Sequence, residues 1–365
     1  MRGVSLALAA CAAALLCAAS ARADTGASAR TRLIGEVEQG LTSASHRWAW
    51  RGWFQDVPGV PGWSSIWDTE QLFQAYVALE RAAPSVRNRN RLEWFAAKTE
   101  EGYYNPSLGD GIGGFSTGYG RRGEQGQQWF DDNGWLGLSF LDAYRVTGKR
   151  RFLEDAETAF RYLFQVGWDP IGGGIWWNTE KTVKSAESVN TAALLAVELY
   201  ELHAGASYLA DAQELVDWAD AHLFDARSGL YVNHPSAGVP ISYLESPMLS
   251  ALVRLCRDRG LYCGRVAPLT RAMLAAFGGD LHQPPQFDAA YIRYLLDAYE
   301  LTGDTRLYPV AYANALRIER NAVDAKGYYS KAWDGGTKGV RPGLISVDGA
   351  ALEVLAWTAA ETPSS

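Results

Sequence analysis

The sequence predicts an all-α chain whose helical hairpins close into an (α/α)6 barrel. Three observations carry this expectation. Apolar residues recur at helical spacing over about twelve segments. Short turns and long Gly/aromatic loops alternate between those segments. Neither end of the series carries the polar capping repeat that an open solenoid needs.

The segments fall at 28–46, 64–82, 86–100, 130–147, 150–166, 186–204, 207–223, 242–259, 263–278, 287–302, 305–321 and 344–360. One recurring motif is a helix end, a tight turn and a helix start. It reads YRVTGKRRFLEDA at 144–156, YELHAGASYLADA at 200–212 and YELTGDTRLYPVA at 299–311. Leu or Tyr stands nine residues after the Tyr in each. A second motif joins glycine to aromatics: GYYNPS at 102–107, GGGIWWN at 172–178, SGLYVNH at 228–234 and KGYYSKAW at 326–333. It occupies long loops that lead into the even-numbered segments. Those segments, such as NTAALLAVELY, are apolar on nearly all sides, as inner helices are. The long loops therefore collect at one end of the barrel, where inner helices begin, and loops on a rigid scaffold are where sites sit.

The chain has 365 residues, of which 48% are hydrophobic, and a net charge of −7. No run of Lys and Arg could follow a phosphate backbone, so nucleic acid is excluded as a partner. Residues 1–23 read as a secretory signal: Arg2, an apolar run, then Ala21-Arg22-Ala23 as a cleavage site before Asp24. Leu8-Ala9-Ala10-Cys11 resembles a lipoprotein signal, but little apolar sequence precedes it. Residues 24–365 then form a single domain, expected as a secreted or periplasmic monomer. No other stretch is long and apolar enough to span a bilayer. Cys11 and Cys17 leave with the signal. Cys256 and Cys263, in LCRDRGLYCG, remain as an even pair flanking a turn between two helices. In an exported chain this predicts a disulfide.

Each inner helix has an acid near its start: Asp68, the Asp131/Asp132 pair, Glu187, Glu245, Asp288 and Asp348. Acids there cap free N–H groups and suit the helix dipole, which is reason enough for any one of them. Together they would make an acidic bowl suited to a ligand rich in hydroxyls. The pair asks for more, because a second aspartate adds repulsion that raises one pKa. Two carboxyls with separated pKa values are what glycoside hydrolysis uses, one to attack and one to donate a proton. The pair sits in WFDDNGW, between Trp129-Phe130 and Trp135. Adjacent residues favour the short carboxyl separation of a retaining mechanism.

WFDDNGWLGLSFLDAYRVTGKRRFLEDA resembles the signature segment of glycoside hydrolase family 76, the endo-α-1,6-mannanases. GGGIWWN and FDAAYIRYL (287–295) are similar to two further segments of that family. The resemblance implies an (α/α)6 barrel and retaining hydrolysis, with Asp131 as nucleophile and Asp132 as general acid/base. It also implies an oligosaccharide or polysaccharide substrate and no cofactor. Trp129, Phe130, Trp135, Tyr104, Trp176, Trp177 and Asn178 are candidate sugar contacts, together with Asp68, Tyr243, Glu245, Asp288 and Arg293. For the aromatics the plainer reading is a packed core or loop. Tyr243-Leu244-Glu245-Ser246 stands where the family shows Tyr-Asn-Gln-Gly, and Phe287-Asp288-Ala289 where it shows Phe-Lys-Gly. These departures bear on which glycan is taken.

Three other readings share parts of the pattern. Epimerases of the N-acylglucosamine type use histidines, but His46, His203, His222, His234 and His282 supply no pair at inner-helix starts. Unsaturated-uronide hydrolases need basic groups for the uronate, which an acidic mouth lacks. A non-catalytic glycan-binding barrel would not need both aspartates. No loop has the dense Asp/Asn spacing of a calcium site, so no metal is expected.

Overall fold

The computed structural model describes residues 27–120, 126–236, 238–334 and 343–363. The proposed signal, with Cys11 and Cys17, lies outside the described residues. Twelve long helices make up the described chain. They are α1 (Ala27–Arg47), α2 (Ile66–Ala82), α3 (Val86–Tyr103), α4 (Phe130–Thr147), α5 (Arg150–Arg161) and α6 (Ala186–Glu201). Next come α7 (Ser207–His222), α8 (Ser242–Arg259), α9 (Cys263–Phe277), α10 (Pro285–Thr302), α11 (Tyr308–Asn321) and α12 (Ile345–Ala360). The predicted periodicity holds throughout. A π-helical turn at Tyr162–Val166 extends α5 to the predicted limit.

The even helices form the inner ring. Each packs on the next (α2 on α4, α4 on α6, α6 on α8, α8 on α10, α10 on α12), and α12 returns to pack against α2. The odd helices lie outside them. The sequence difference between the layers follows from burial. Every residue of α12 from Ile345 to Ala359 is buried, whereas α5 buries Phe152, Ala156, Ala159 and Phe160 along one stripe. Turns at the lower end stop helices with left-handed residues: Gly148 after α4, Gly303 after α10 and Gly260 after α8, with φ near 70°. In the second copy of the turn motif His203 takes that conformation, so it lies in the turn rather than in the helix body. Cys256 and Cys263 are joined as a disulfide across the α8–α9 turn.

The long loops all lie at the other end. Three two-stranded ribbons form within them: Ala49–Trp50 with Trp53–Phe54, Tyr104–Asn105 with Gly114–Phe115, and Phe224–Asp225 with Leu230–Tyr231. Backbone groups at the mouth need partners, and loop-to-loop pairing supplies them. No helix among the described residues is long and apolar enough to cross a membrane.

A ring of six helices leaves space along its axis, and side chains fill it. The lower half holds ions. Arg293 donates two hydrogen bonds to Asp142, at 3.1 and 2.7 Å, and its guanidinium lies 3.6 Å from the Trp357 ring centroid. Arg254 pairs with Asp297 at 2.8 Å and Glu198 at 3.0 Å. Burial alone would raise the pKa of Asp297, yet Arg254, Arg293 and Arg145 hold it well below the usual range. Arg293 thus ties inner helices together at the short-turn end. Its candidate role as a sugar contact is corrected: Arg293 is buried away from the cleft lining, its edge taken by Asp142 and a face by Trp357.

Gly134 of the WFDDNGW stretch marks where α4 meets α6 most closely. A Cβ there would fall 2.1 Å from Thr191 Oγ1 and 2.7 Å from its Cβ. Gly134→Ala should therefore destabilise the fold by about 1–3 kcal/mol, read as a lower midpoint in chemical denaturation.

Candidate active site

The WFDDNGW stretch begins α4. Trp129 is the N-cap and makes no side-chain cap, so Asp131 and Asp132 occupy the second and third helical positions. The loop before α6 reaches this helix start. The Phe130 N–H donates to the Trp177 carbonyl at 2.9 Å, and the Thr179 N–H to the Gln128 carbonyl at 2.9 Å. That pairing sets Trp177 beside Trp129, ring centroids 4.5 Å apart and nearly perpendicular. The loop before α4 contributes Thr117, whose hydroxyl donates to Asp132 Oδ2 at 2.6 Å and accepts from the Trp129 N–H at 3.0 Å.

These groups open into a cleft of about 330 Å³ lined by Asp131, Asp132, Trp129, Trp177, Trp67 and Tyr243, with Ser65, Thr117 and Phe287. Tyr243 and Phe287 stack at 4.1 Å with 7° between planes, and Trp67 stands 6.0 Å from Phe287. Trp135 packs beneath, 5.7 Å from Tyr243. The walls are therefore aromatic and the acidic pair is one edge.

The two carboxyls differ in their surroundings. Asp132 is buried, and its pKa is pushed up to about 7, with burial the main cause, the Thr117 hydrogen bond opposing it and the Asp68 charge adding to it. Asp131 is partly open to the cleft, yet its Oδ1 is buried with no hydrogen-bond partner. Its pKa is raised well above the usual value by burial, by Asp132 and by Glu187. The nearby Trp177 indole opposes that shift. Both carboxyls are thus pushed toward their protonated forms, and a proton held there is a property of the pair.

Glu187, at the second position of α6, is buried behind the cleft. Tyr243 donates its hydroxyl to Glu187 Oε1 at 2.9 Å, while Oε2 is buried without a partner. Burial raises its pKa. The His234 Nδ1, 5.9 Å from Trp177 between ring centroids, is also buried without a partner.

The acidic bowl is not there. Asp68 closes a capping box with Ser65, at 2.6 Å between Asp68 Oδ2 and the hydroxyl. Glu245 is fully buried and accepts the Tyr231 N–H with both oxygens, at 3.0 and 3.1 Å. Asp288 is buried against Ser242, and Asp348 accepts the Tyr329 N–H at 3.3 Å. Glu245, Asp288 and Asp348 each stand at the fourth helical position, about 200° round the helix from the second. They face the incoming loops and fasten them.

Five aromatic and loop expectations also change. Phe130 is 0% exposed and packs on Tyr162 in the core. Trp135 is a buried support, not a surface. Trp176 lies under Lys184, whose ammonium is 5.0 Å from its ring. Asn178 is buried and its side-chain oxygen accepts the Glu180 N–H at 3.1 Å, shaping the loop. Tyr104 is 48% exposed on the outer ribbon and is not part of the cleft wall. Trp67, Thr117, Ser65 and Phe287 were not singled out as candidates. Trp67 and Phe287 each sit one residue from a flagged acid, which is the signal that was available; Thr117 and Ser65 carried none. Among the described residues no three His, Cys, Asp or Glu side chains gather as a metal site.

Because the raised value of Asp132 belongs to the folded state, its protonated form favours folding at low pH. That advantage is lost as pH climbs from the ordinary aspartate range through about 7. Asp132→Asn should therefore raise the melting temperature at pH 8, by roughly 1–3 kcal/mol of stability, with little effect at pH 4.

Residues 113–235 match the sequence model of glycosyl hydrolase family 76. A comparison with curated proteins gives no match. The fold is similar to that of the family 76 α-mannanase of Bacteroides thetaiotaomicron, with a TM-score of 0.81 at 19% identity over 90% of this chain and 95% of that one. An α-1,6-mannanase of Salegentibacter sp. HEL1_6 superposes with a TM-score of 0.72 at 16% identity, over 90% and 99% of the chains. That structure is an inactive variant with two consecutive Asp-to-Asn substitutions, in complex with α-1,6-mannotriose. The cellobiose 2-epimerase of Spirochaeta thermophila has the same architecture, with a TM-score of 0.69 at 14% identity over 92% and 97%. The family 76 structures are (α/α)6 barrels, and this chain shares that architecture. On the segment that carries the paired aspartates and on its fold, this chain resembles glycoside hydrolase family 76, and it is a glycoside hydrolase.

Proposed function

We propose that the chain is an exported, monomeric retaining glycosidase acting on α-1,6-linked mannan or a related α-mannoside. The observation that carries this is the Asp131/Asp132 pair, at one edge of an open cleft whose other walls are Trp129, Trp177, Trp67, Tyr243 and Phe287. An α-1,6-mannanase of the same architecture, substituted at two consecutive aspartates, holds α-1,6-mannotriose. The signal-like residues 1–23 and the Cys256–Cys263 disulfide suit an oxidising compartment outside the cytosol.

The residues divide the work as follows. Asp131, which lines the cleft and is partly open to it, attacks the anomeric carbon. Asp132 gives its proton to the departing glycosidic oxygen as that C–O bond breaks. The product is a glycosyl ester on Asp131. Asp132, now ionised and steadied by the Thr117 hydroxyl, takes a proton from water as the water displaces Asp131. Trp129, Trp177 and Phe287 offer flat apolar faces to sugar rings. Glu187 sits behind Tyr243 and sets the electrostatic surroundings of Asp131.

The first test is product release from α-1,6-mannan. Asp131→Asn and Asp132→Asn should each lower kcat by on the order of 10³-fold or more with the fold intact. A substrate with an activated leaving group should rescue Asp132→Asn and not Asp131→Asn, since only the first has lost its acid. Rescue of the other variant would reverse the two roles.

The pH profile gives a second test. Productive enzyme needs an ionised Asp131, and the Glu187 charge raises the Asp131 pKa. Glu187→Gln should move the acid limb of kcat/KM to lower pH. An unmoved limb would remove Glu187 from the mechanism.

A further inference from the structure

Outside the cleft the loops present a second aromatic surface. The ribbon Ala49–Trp50/Trp53–Phe54 turns through Arg51 and Gly52, both at positive φ (45° and 85°). This tight turn sends Trp50 and Trp53 to different surroundings. Trp53 is buried, and its indole N–H donates to the Tyr103 hydroxyl at 3.0 Å. Trp50 stays partly exposed and meets Trp63 edge-on at 5.2 Å. Trp63 is 39% exposed. It rests 5.3 Å from Tyr119, which in turn stacks on Trp53 at 5.2 Å with 12° between planes.

The support beneath is rigid. A Cβ on Gly102 would fall 1.8 Å from Tyr119 Cε2, so only glycine leaves room for that ring. The Gly120 N–H donates to the Gly102 carbonyl at 2.7 Å and pins the loop. The surface is also continuous with the cleft. Ser65 and Thr117 line the cleft, and Ser65 bridges Gly118 in an antiparallel backbone pair. Trp63 lies two residues before Ser65, and Tyr119 two after Thr117. One backbone pair therefore carries cleft wall on one side and the aromatic surface on the other.

We propose that Trp50, Trp63 and Tyr119 form a remote sugar-binding platform that takes further units of an uncharged polysaccharide whose scissile bond lies over Asp131 and Asp132. The proposal rests on the reading of the cleft given above. Two indoles held open to water by a rigid buried base are costly unless something covers them. Their occupant must be flat and apolar on one face and rich in hydroxyls, as a hexose is. Of the charged groups at the platform, Lys98 and Glu101 lie near Tyr119 and pair with each other at 2.6 Å, which leaves Arg51, whose guanidinium lies 4.8 Å from the Trp50 ring. It can donate to sugar hydroxyls.

The test uses the full mature chain with Trp63→Ala and, separately, Trp50→Ala. Trp50 is at the outer edge of the turn, so its variant remains informative if Trp63→Ala fails to fold. Each is run through native gels containing α-1,6-mannan, two other neutral polysaccharides or a polyuronate. Each is also assayed on α-1,6-mannan and on a mannotrioside. Both variants should lose most of the retardation by a neutral polysaccharide. KM for the polymer should rise about 3–10-fold, with trioside kinetics unchanged. Equal retardation in parent and variants, an equal loss on trioside and polymer, or no retardation of the parent by any gel would overturn the platform. If the parent cleaves no mannan, the function proposed above fails. Retardation by another neutral glycan, lost in the variants, would still support the platform.

Discussion

Everything at the mouth depends on how the axis of the ring is filled. Six inner helices in contact leave a column that neither backbone nor water-filled space can occupy without loss of packing. Arg293, Arg254 and Arg145 fill the lower part together with Asp142, Asp297 and Glu198, three groups of each sign. Trp135, Tyr243 and Phe287 fill the upper part with stacked rings. The cleft begins where that stack ends. Buried ion pairs of this kind are weak sources of stability but severe penalties when broken. They fix the azimuths of α4, α6, α8 and α10, and through them the directions in which those first turns point.

That azimuth decides what an acid at a helix start does. Asp131 and Glu187 occupy second positions and Asp132 a third; they turn toward the axis and the cleft. Glu245, Asp288 and Asp348 occupy fourth positions and turn toward loops. In the first group Asp131 and Glu187 each keep a buried oxygen without a partner close to another acid, the costly state a reactive site uses. In the second group Glu245 and Asp348 accept loop N–H groups and Asp288 accepts the Ser242 hydroxyl, the ordinary use of a buried carboxylate. Burial raises the pKa in both groups, so a raised pKa alone would not separate them.

The aromatic residues divide in a similar way. Phe130 and Trp135 flank the acidic pair in sequence but point inward on α4, since neighbours on a helix are 100° apart. The rings that flank the pair in space come mostly from elsewhere: Trp177 from the loop before α6, Trp67 from α2, Phe287 from α10. Only Trp129 serves in both senses. The hydrogen bond between the Phe130 N–H and the Trp177 carbonyl makes the join.

The sequence by itself determined the helices, their alternation and the end at which the loops collect. Those follow from periodicity and from turn residues such as Gly148 and Gly303, which act over a few positions. It also determined that Asp131 and Asp132 stand together at an inner-helix start, because they are adjacent in the chain. Tertiary structure alone decided which other residues join them. Arg293 left the candidate site because its partners, Asp142 and Trp357, come from helices far away in sequence. Thr117 entered because a loop hydroxyl lands 2.6 Å from Asp132. Contacts between distant segments depend on the rotation of each helix about its own axis, and no local pattern of residues records that angle.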